Sequence, residues 1–497
     1  MADAKVEDQK EGAATTEGQS SLLDDIVSEM KLKPSDEGYS EARQGVQALI
    51  SEMLVHRAPG ERVDRKLVDA MIAELDRRIG SQLDEILHHA DFQKMEAAWR
   101  GLKFLVDRTD FRENIRIHLL QARKEELLDD FEDASEIMTS GLYRHIYTAE
   151  YGQFGGKPYG ALVGNYEFGV GSTDIALLRN CASVAAMAHA PFLTAASPEV
   201  FGADEKDFTS LPYLKDLEAL FESPRYIKWR SLREADDARY LGLAMPRMLL
   251  RGPYRAEDGL TRNFAYDEQV GEDHASFMWG NAAFALASRV ADSFAKYHWC
   301  PNIIGPQSGG AVEDLPIHTY ESMGDVKTKI PTEILISERR EFELSEQGFI
   351  ALTMRKDSDN AAFFSANSVQ KPKYFGTSDV GRDAETNFRL GTQLPYLFII
   401  SRIAHYLKVM QREHIGSWKE RGELESELNN WISQYVIDQD SPSKSLRSKR
   451  PLRQASVSVE NVPGNPGWYK VDMKVRPHLK YMGAFFTLSL VGKLDKS

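Results

Sequence analysis

A pair of glycines at the start of a helical segment is the first place where this sequence could bind a ligand. Gly169 and Gly171 follow an apolar segment that ends at Phe168, which is where a dinucleotide-binding turn would lie. The third glycine position of that motif holds Asp174, whose carboxylate would repel a pyrophosphate. We therefore interpret the pair as a turn that starts a helix, and we expect no cofactor.

Serine, histidine and cysteine patterns also lack the spacing of a catalytic or metal site. Ser308 lies among glycines, but no glycine stands two residues before it, as a nucleophile elbow requires. His88 and His89 are adjacent, so a helix would point them to different sides, and His298 and Cys300 have no second ligand pair at zinc spacing. No catalytic or metal-binding residue is predicted. An enzyme with an unrecognised acid–base site stays open as the alternative, since no sequence rule pairs two carboxylates across a cleft.

Five basic residues near the C-terminus are the strongest local departure from an acidic chain. The sequence contains 61 Lys and Arg against 75 Asp and Glu, a net charge of -14, which argues against a nucleic-acid partner. The basic run is either a solvated loop or a contact patch for an acidic neighbour, and salt-sensitive assembly would indicate the second. The residues of this patch are Lys444, Arg447, Lys449, Arg450 and Arg453.

The last fifty residues show the clearest periodicity in the chain. Apolar residues alternate with polar ones in three segments, and the first two are joined by a turn sequence at 463–467, which predicts a hairpin followed by a third antiparallel strand. Sheet edges recruit strands of other chains, so we predict that these strands are exchanged between subunits. The candidate inter-subunit residues are Tyr469, Val471, Met473, Val475, Phe486, Leu488 and Leu490.

The N-terminal residues predict a flexible tail followed by a short amphipathic helix. Residues 1–20 carry almost no large apolar side chain and cannot repay the cost of ordering. A helix of about ten residues is marginal alone, so it must dock either on its own chain or in a partner's groove. Its apolar stripe consists of Leu22, Leu23, Ile26, Val27 and Met30.

The middle of the chain predicts a helical layer and then a mixed body, an α+β fold. Residues 41–106 are helical in pattern and end in a stripe of Phe92, Met95, Trp99, Leu102 and Val106. Helices are predicted at 173–190, 277–294, 390–410 and 424–435, and strands at 115–120, 159–168, 332–337, 349–354 and 361–367. The expected regions are a tail and short helix at 1–40, the helical layer at 41–106, the body at 107–437, and a basic loop with C-terminal strands at 438–497.

Composition indicates a globular protein of a reducing compartment. At 497 residues and 42% hydrophobic content the chain can bury a sizeable core. Cys181 and Cys300 are its only cysteines, which argues against a disulfide framework. No apolar run reaches about 18 residues and the N-terminus is polar, so we expect a cytoplasmic protein without membrane insertion.

Several long stretches together resemble the large subunit of the type VI secretion contractile sheath, the TssC (VipB/EvpB) family. They lie at 88–107, 178–202, 277–316, 338–372, 386–418 and 450–494. The resemblance implies a structural subunit rather than an enzyme, with a body related to contractile tail sheath proteins. It also implies that terminal strands are exchanged between neighbouring subunits.

The resemblance further implies the partners of a contractile machine. The subunit would pair with the small sheath protein TssB (VipA-like) and polymerise with itself into a helical tube around an inner tube of Hcp hexamers, on a baseplate. Contraction would drive the inner tube, its spike and effectors out of the cell. The short N-terminal helix would be the handle that the AAA+ unfoldase ClpV grasps to recycle the sheath, through the stripe at Leu22, Leu23, Ile26, Val27 and Met30.

Overall fold

The computed structural model describes residues 38–55, 65–202, 205–214, 216–258, 264–271, 274–322, 325–355, 358–413, 421–439, 442–461, 469–478 and 488–493. The chain forms two units, residues 1–79 and 80–497. The predicted unfoldase-binding residues Leu22, Leu23, Ile26, Val27 and Met30 lie outside the described residues.

Helices carry much of the described chain, and none of those described is long and apolar enough to span a membrane. A short helical stretch at 141–151 has a π-helical centre, Arg144–Thr148. The main helices are α1 Tyr39–Val55, α2 Arg65–Leu87, α3 Ala90–Asp107, α4 Lys124–Asp133, α5 Ser172–Ala188, α6 Leu217–Glu222, α7 Ile227–Glu234, α8 Ala282–Tyr297, α9 Glu338–Glu346, α10 Asp379–Gly391, α11 Leu394–Glu413, α12 Arg421–Ser433 and α13 Lys444–Lys449.

The strands that the structure describes form one central sheet and three smaller ones. They are β1 Leu162–Phe168, β2 Phe192–Ala196, β3 Leu241–Met245, β4 Met248–Arg251, β5 Met278–Gly280, β6 Ala311–Val312, β7 His318–Ser322, β8 Asp325–Lys329, β9 Phe349–Met354, β10 Ala361–Phe363, β11 Leu452–Asn461, β12 Tyr469–Pro477 and β13 Leu488–Lys493.

The central sheet has the strand order β1-β2-β3-β9-β10-β6. Strands β1, β2, β3 and β9 are parallel, and β10 and β6 continue the sheet in antiparallel fashion. Every residue of β2 and β3 is buried, as expected for parallel strands covered on both faces. With the separate antiparallel sheet at its C-terminus, the chain has the predicted α+β fold.

The glycine pair after β1 starts helix α5, as predicted. Gly171 is the N-cap residue of α5, and the backbone N–H of Gly169 donates to Asp174 Oδ2 at 2.6 Å. The other oxygen of Asp174 lies 2.7 Å from Lys124 Nζ. The carboxylate of Asp174 therefore occupies the turn where a cofactor phosphate would bind.

Two predicted strands and two helix boundaries were wrong. Residues 115–120 form no strand, and 332–337 contain only an isolated bridge from Thr332 to Met248. Helix α8 starts at Ala282 rather than at Phe277. The side chain of Asn281 caps it there by accepting the N–H of Ala283 at 2.8 Å. The predicted helix 390–410 is two helices, and Pro395 fits the first turn of the second because that position needs no N–H donor.

Helix α3 packs through a different face from the one that its apolar stripe suggested. Met95 is 52% exposed and Trp99 is 65% exposed. The buried residues of the helix are Gly101 and Leu105, and a Cβ added at Gly101 would lie 2.5 Å from the ring of Phe284 on α8. The glycine is therefore what allows α3 and α8 to approach closely.

A buried charge network joins α3 to β4 and to the chain that follows it. Arg251 Nε lies 2.8 Å from Glu96 Oε1, and Arg251 Nη1 lies 2.5 Å from Glu268 Oε2. Arg100 and His88 add contacts of 2.6 and 3.1 Å to these two carboxylates. Burial alone would raise the pKa of Glu96, but hydrogen bonds from Arg251 and Arg100 outweigh it and lower that pKa.

Two hydrophobic cores meet at helix α11. Leu394, Leu397 and Phe398 pack in the core of the central sheet. Ile399 and Ile403 of the same helix pack in a second core that contains α12 and the C-terminal sheet. Helix α11 is therefore buried from two sides, and it ties the C-terminal sheet to the body.

A half-buried histidine, His189, and a buried one, His405, lie where the end of α5 meets α11. His405 Nε2 is 3.0 Å from the carbonyl oxygen of Ala188, and His189 Nδ1 is 3.0 Å from the hydroxyl of Tyr240. Burial lowers the pKa of His405 to about 4 and that of His189 to about 3. Nearby Lys408 opposes protonation further.

These histidines should make the stability of the body depend on acid. An unfolded histidine takes up a proton near pH 6.5, whereas the folded His405 stays neutral down to about pH 4. The free energy of unfolding is therefore expected to fall as pH drops from 6.5 towards 4, with roughly 3 kcal/mol from His405. His405→Gln should flatten this dependence, measured as urea midpoints between pH 7 and 4.5. Exposed His89→Gln is the control, and equal slopes for all three proteins would contradict the assignment.

Candidate assembly interface

The C-terminal strands form an antiparallel sheet in the order β11-β12-β13. Val457 pairs with Met473, and Met473 pairs with Leu490 on its other side. The predicted hairpin and third strand are therefore confirmed, with β12 in the centre. The connecting residues 462–468 and 479–487, which include Phe486, lie outside the described part of the chain.

One face of this sheet belongs to the core of the chain itself. Val471, Met473 and Val475 are buried, together with β11 residues, against Leu428 and Ile432 of α12. Of Tyr469, Leu488 and Leu490 the structure describes the backbone, which lies in β12 and β13 as predicted. Because the apolar face is already covered in part, the backbone edges are where a neighbouring strand could be added.

Much of the β11 edge already has partners within the chain. The N–H of Leu452 donates to the carbonyl of Tyr435 at 3.2 Å, and its carbonyl accepts from Ile437 at 2.9 Å. Further along the strand, Val457 is bonded through both its N–H and its carbonyl to the side chain of Asn429, at 3.0 and 2.8 Å. The N–H of Val459 donates to Glu425 Oε2 at 3.2 Å.

The β13 edge is different. The N–H and carbonyl of Val457 point away from β12. In an antiparallel ladder the N–H and carbonyl of its register partner Met473 must then point towards β13. The backbone N–H and carbonyl groups of Leu488 and Leu490 therefore point towards β12. Those of the alternate residues point outward, namely Ser489, Val491 and Lys493. Among the strands that the structure describes, none pairs with this outer edge.

The basic residues lie beside this sheet, but not on a loop as predicted. Lys444, Arg447 and Lys449 lie on helix α13, because Ser443 caps it by accepting the N–H of Leu446 at 3.3 Å. Arg450 follows the helix directly. Arg453 lies in β11.

Part of the basic patch binds the chain's own body. Lys444 Nζ donates to the carbonyl of Gln307, and the side chain of Asn302 donates to Ser448 Oγ at 2.7 Å. Arg447, Lys449 and Arg450 are exposed. These three cations remain as the surface that an acidic neighbour could contact.

Sequence reasoning missed Asn429 and Glu425. Asparagine inside a helix is unfavourable because its side chain competes for backbone hydrogen bonds, and that is the one local signal at this position. Nothing in the sequence pairs it with Val457. The contact depends on how α12 lies along the sheet.

Known tail sheath proteins are similar to this chain over most of its length. The model of the EvpB/VC_A0108 tail sheath N-terminal domain matches residues 69–370, and that of the EvpB/VC_A0108 tail sheath gpW/gp25-like domain matches residues 383–494. The type VI secretion system sheath protein TssC1 of Pseudomonas aeruginosa is 40% identical over 507 aligned residues, covering 100% of this chain and 99% of the relative.

Proposed function

The chain belongs to the EvpB/VipB tail sheath family as a large sheath subunit of the type VI secretion system, and we propose that its C-terminal sheet links neighbouring subunits of the sheath. The supporting observation is a three-stranded sheet in which much of one edge has partners within the chain and the other edge pairs with no described strand. A strand of an adjacent sheath subunit would add at the outer edge.

In this proposal the chain pairs with a small sheath subunit, TssB, and polymerises in the cytoplasm into a helical tube. The tube encloses the Hcp inner tube, stands on the baseplate, and contracts to drive the inner tube, spike and effectors outward. The role is mechanical and needs no catalytic residue. The inter-subunit contacts, rather than any pocket, carry the function.

The energy of one strand link is modest, so repetition must supply the strength of the tube. Outward groups of Ser489, Val491 and Lys493 allow about five hydrogen bonds, each contributing about 0.5–1.5 kcal/mol. Ordering the incoming strand costs about 1–2 kcal/mol per residue. Links repeated along the polymer hold each strand near its partner while subunit bodies slide during contraction.

Co-expression with the small subunit tests this function directly. Sedimentation and negative-stain microscopy should show hollow tubes that pellet, and these tubes should dissociate more readily in high salt if the exposed cations of α13 contact an acidic neighbour. A folded chain that stays small and forms no filaments with the small subunit would overturn the proposal.

We also propose that the N-terminal stripe is the site that the recycling unfoldase ClpV recognises. Replacing Leu23 and Ile26 with Asp places two charges on a surface that must be apolar to dock in a groove, so unfoldase binding should fall at least about tenfold. Tube assembly should be unchanged. The measurements are pull-down with the unfoldase and tube yield, with Ser28→Asp, a polar position of the predicted helix, as the control. Unchanged unfoldase binding by the double variant would count against this site.

A further inference from the structure

The hydrogen bonds along β11 show that the two edges of the C-terminal sheet differ in their backbone partners. The amide of Asn429 accepts from the N–H of Val457 and donates to its carbonyl, which is the pair of bonds that a neighbouring strand residue would make. Its second amide hydrogen donates to the carbonyl of Glu425, one turn earlier on α12, at 2.8 Å. The side chain is therefore fixed in place as a substitute for a strand.

Glu425 extends the same arrangement by one strand repeat. Its Oε2 accepts the N–H of Val459, the next outward-facing residue of β11. The segment before α13 closes the start of the strand through Leu452, which forms a parallel bridge with Val436. Outward-facing groups near the start, middle and end of β11 thus have partners within the chain.

Unpaired strand edges lead to uncontrolled association, and proteins cover them with helices or loops. A helix can cover an edge only if its side chains satisfy the strand's polar groups, because a buried unpaired group costs about 1–3 kcal/mol. Glu425 and Asn429 are four residues apart and so lie on the same face of α12. They meet that need for both backbone groups of Val457 and for the N–H of Val459.

We infer that Asn429 and Glu425 form an edge clamp, which closes β11 and restricts strand addition to the outer edge of β13. The inference rests on the proposed strand exchange. It adds a direction, because each sheet can then accept one extended strand of a neighbouring sheath subunit and only on one side. Links with a single direction build an ordered polymer, whereas a second open edge would permit branching.

Two register partners of Lys474 provide a matched test. Ser456 on β11 and Ser489 on β13 both pair with Lys474, so they occupy one row across the sheet at its opposite edges. A photo-crosslinking residue is placed at either position and irradiated in assembled tubes. The probe at Ser489 should crosslink to a neighbouring subunit at least tenfold more than the probe at Ser456. Equal crosslinking from both would overturn the inference.

The same experiment separates this inference from the proposed function. If no tubes form, the proposed function fails. If tubes form and the Ser456 probe captures a neighbour, the proposed function stands and the edge clamp is wrong.

Hydrogen exchange of the chain alone tests the clamp itself. Asn429→Ala should increase the exchange rate of the Val457 amide about tenfold, whereas Asn430→Ala, at an exposed neighbouring position, should leave it unchanged. A Val457 amide that exchanges equally in Asn429→Ala and Asn430→Ala would refute the clamp.

Discussion

Replacing Val491 with proline is expected to abolish tube formation with the small sheath subunit while leaving the isolated chain folded. The N–H of Val491 faces the outer edge of β13, so its loss removes no bond of the chain's own sheet. The proline ring would project towards the incoming strand and remove a donor from it. Because the defect recurs at every link, tube yield should fall at least about tenfold.

The neighbouring residue provides the matched comparison. Leu490 pairs with Met473, and its backbone N–H points towards β12. Leu490→Pro therefore removes a hydrogen bond of the chain's own sheet and should lower the thermal midpoint of the chain. Val491→Pro should leave that midpoint nearly unchanged. Val491→Thr keeps the N–H and the branched shape, and should form tubes normally. Normal tubes from Val491→Pro would exclude strand addition at this edge.

The C-terminal sheet could be predicted from sequence because its period of two is local. Alternation across 469–475 specified the buried face, and Val471, Met473 and Val475 are indeed buried. The identity of the open edge could not be predicted. It depends on Asn429 reaching Val457, which is 28 residues away, and therefore on the packing of α12.

Helix α3 shows why a correct helix can be given the wrong contact face. Met95 and Trp99 form the larger apolar stripe, yet they are exposed. The face that packs contains Gly101, which contributes no hydrophobicity to the pattern and acts by having no side chain. Close approach of two helices is a property of the pair, so one helix's sequence does not reveal it.

The basic patch shows the same limit in a different form. Its charge was evident, but the prediction of a loop missed that Ser443 caps a short helix. The contact of Lys444 with Gln307 depends on residues far apart in the chain. Charge runs indicate a surface, whereas the fold decides which of its members remain available to a partner.

The largest effect on stability is expected at Arg251, another position whose role depends on distant residues. It joins Glu96, 155 positions earlier, to Glu268, whose side chain is 1% exposed. Burial by itself would lower the pKa of Arg251, but the hydrogen bonds that Arg251 donates to these carboxylates outweigh it and raise that pKa. The cation is therefore the shared partner of one buried anion, Glu268, and one largely buried anion, Glu96.

Arg251→Met is expected to destabilise the second unit by about 3–5 kcal/mol, because it leaves buried carboxylates without their shared cation. Arg112→Met removes a guanidinium that is 88% exposed and pairs with Asp110, and it should leave the urea midpoint nearly unchanged because solvent screens the pair. Urea midpoints measure both. Adding Glu268→Gln to Arg251→Met should recover part of the loss, since one stranded charge is removed. Equal midpoints for Arg251→Met and Arg112→Met would show that the buried network contributes no more than a surface ion pair.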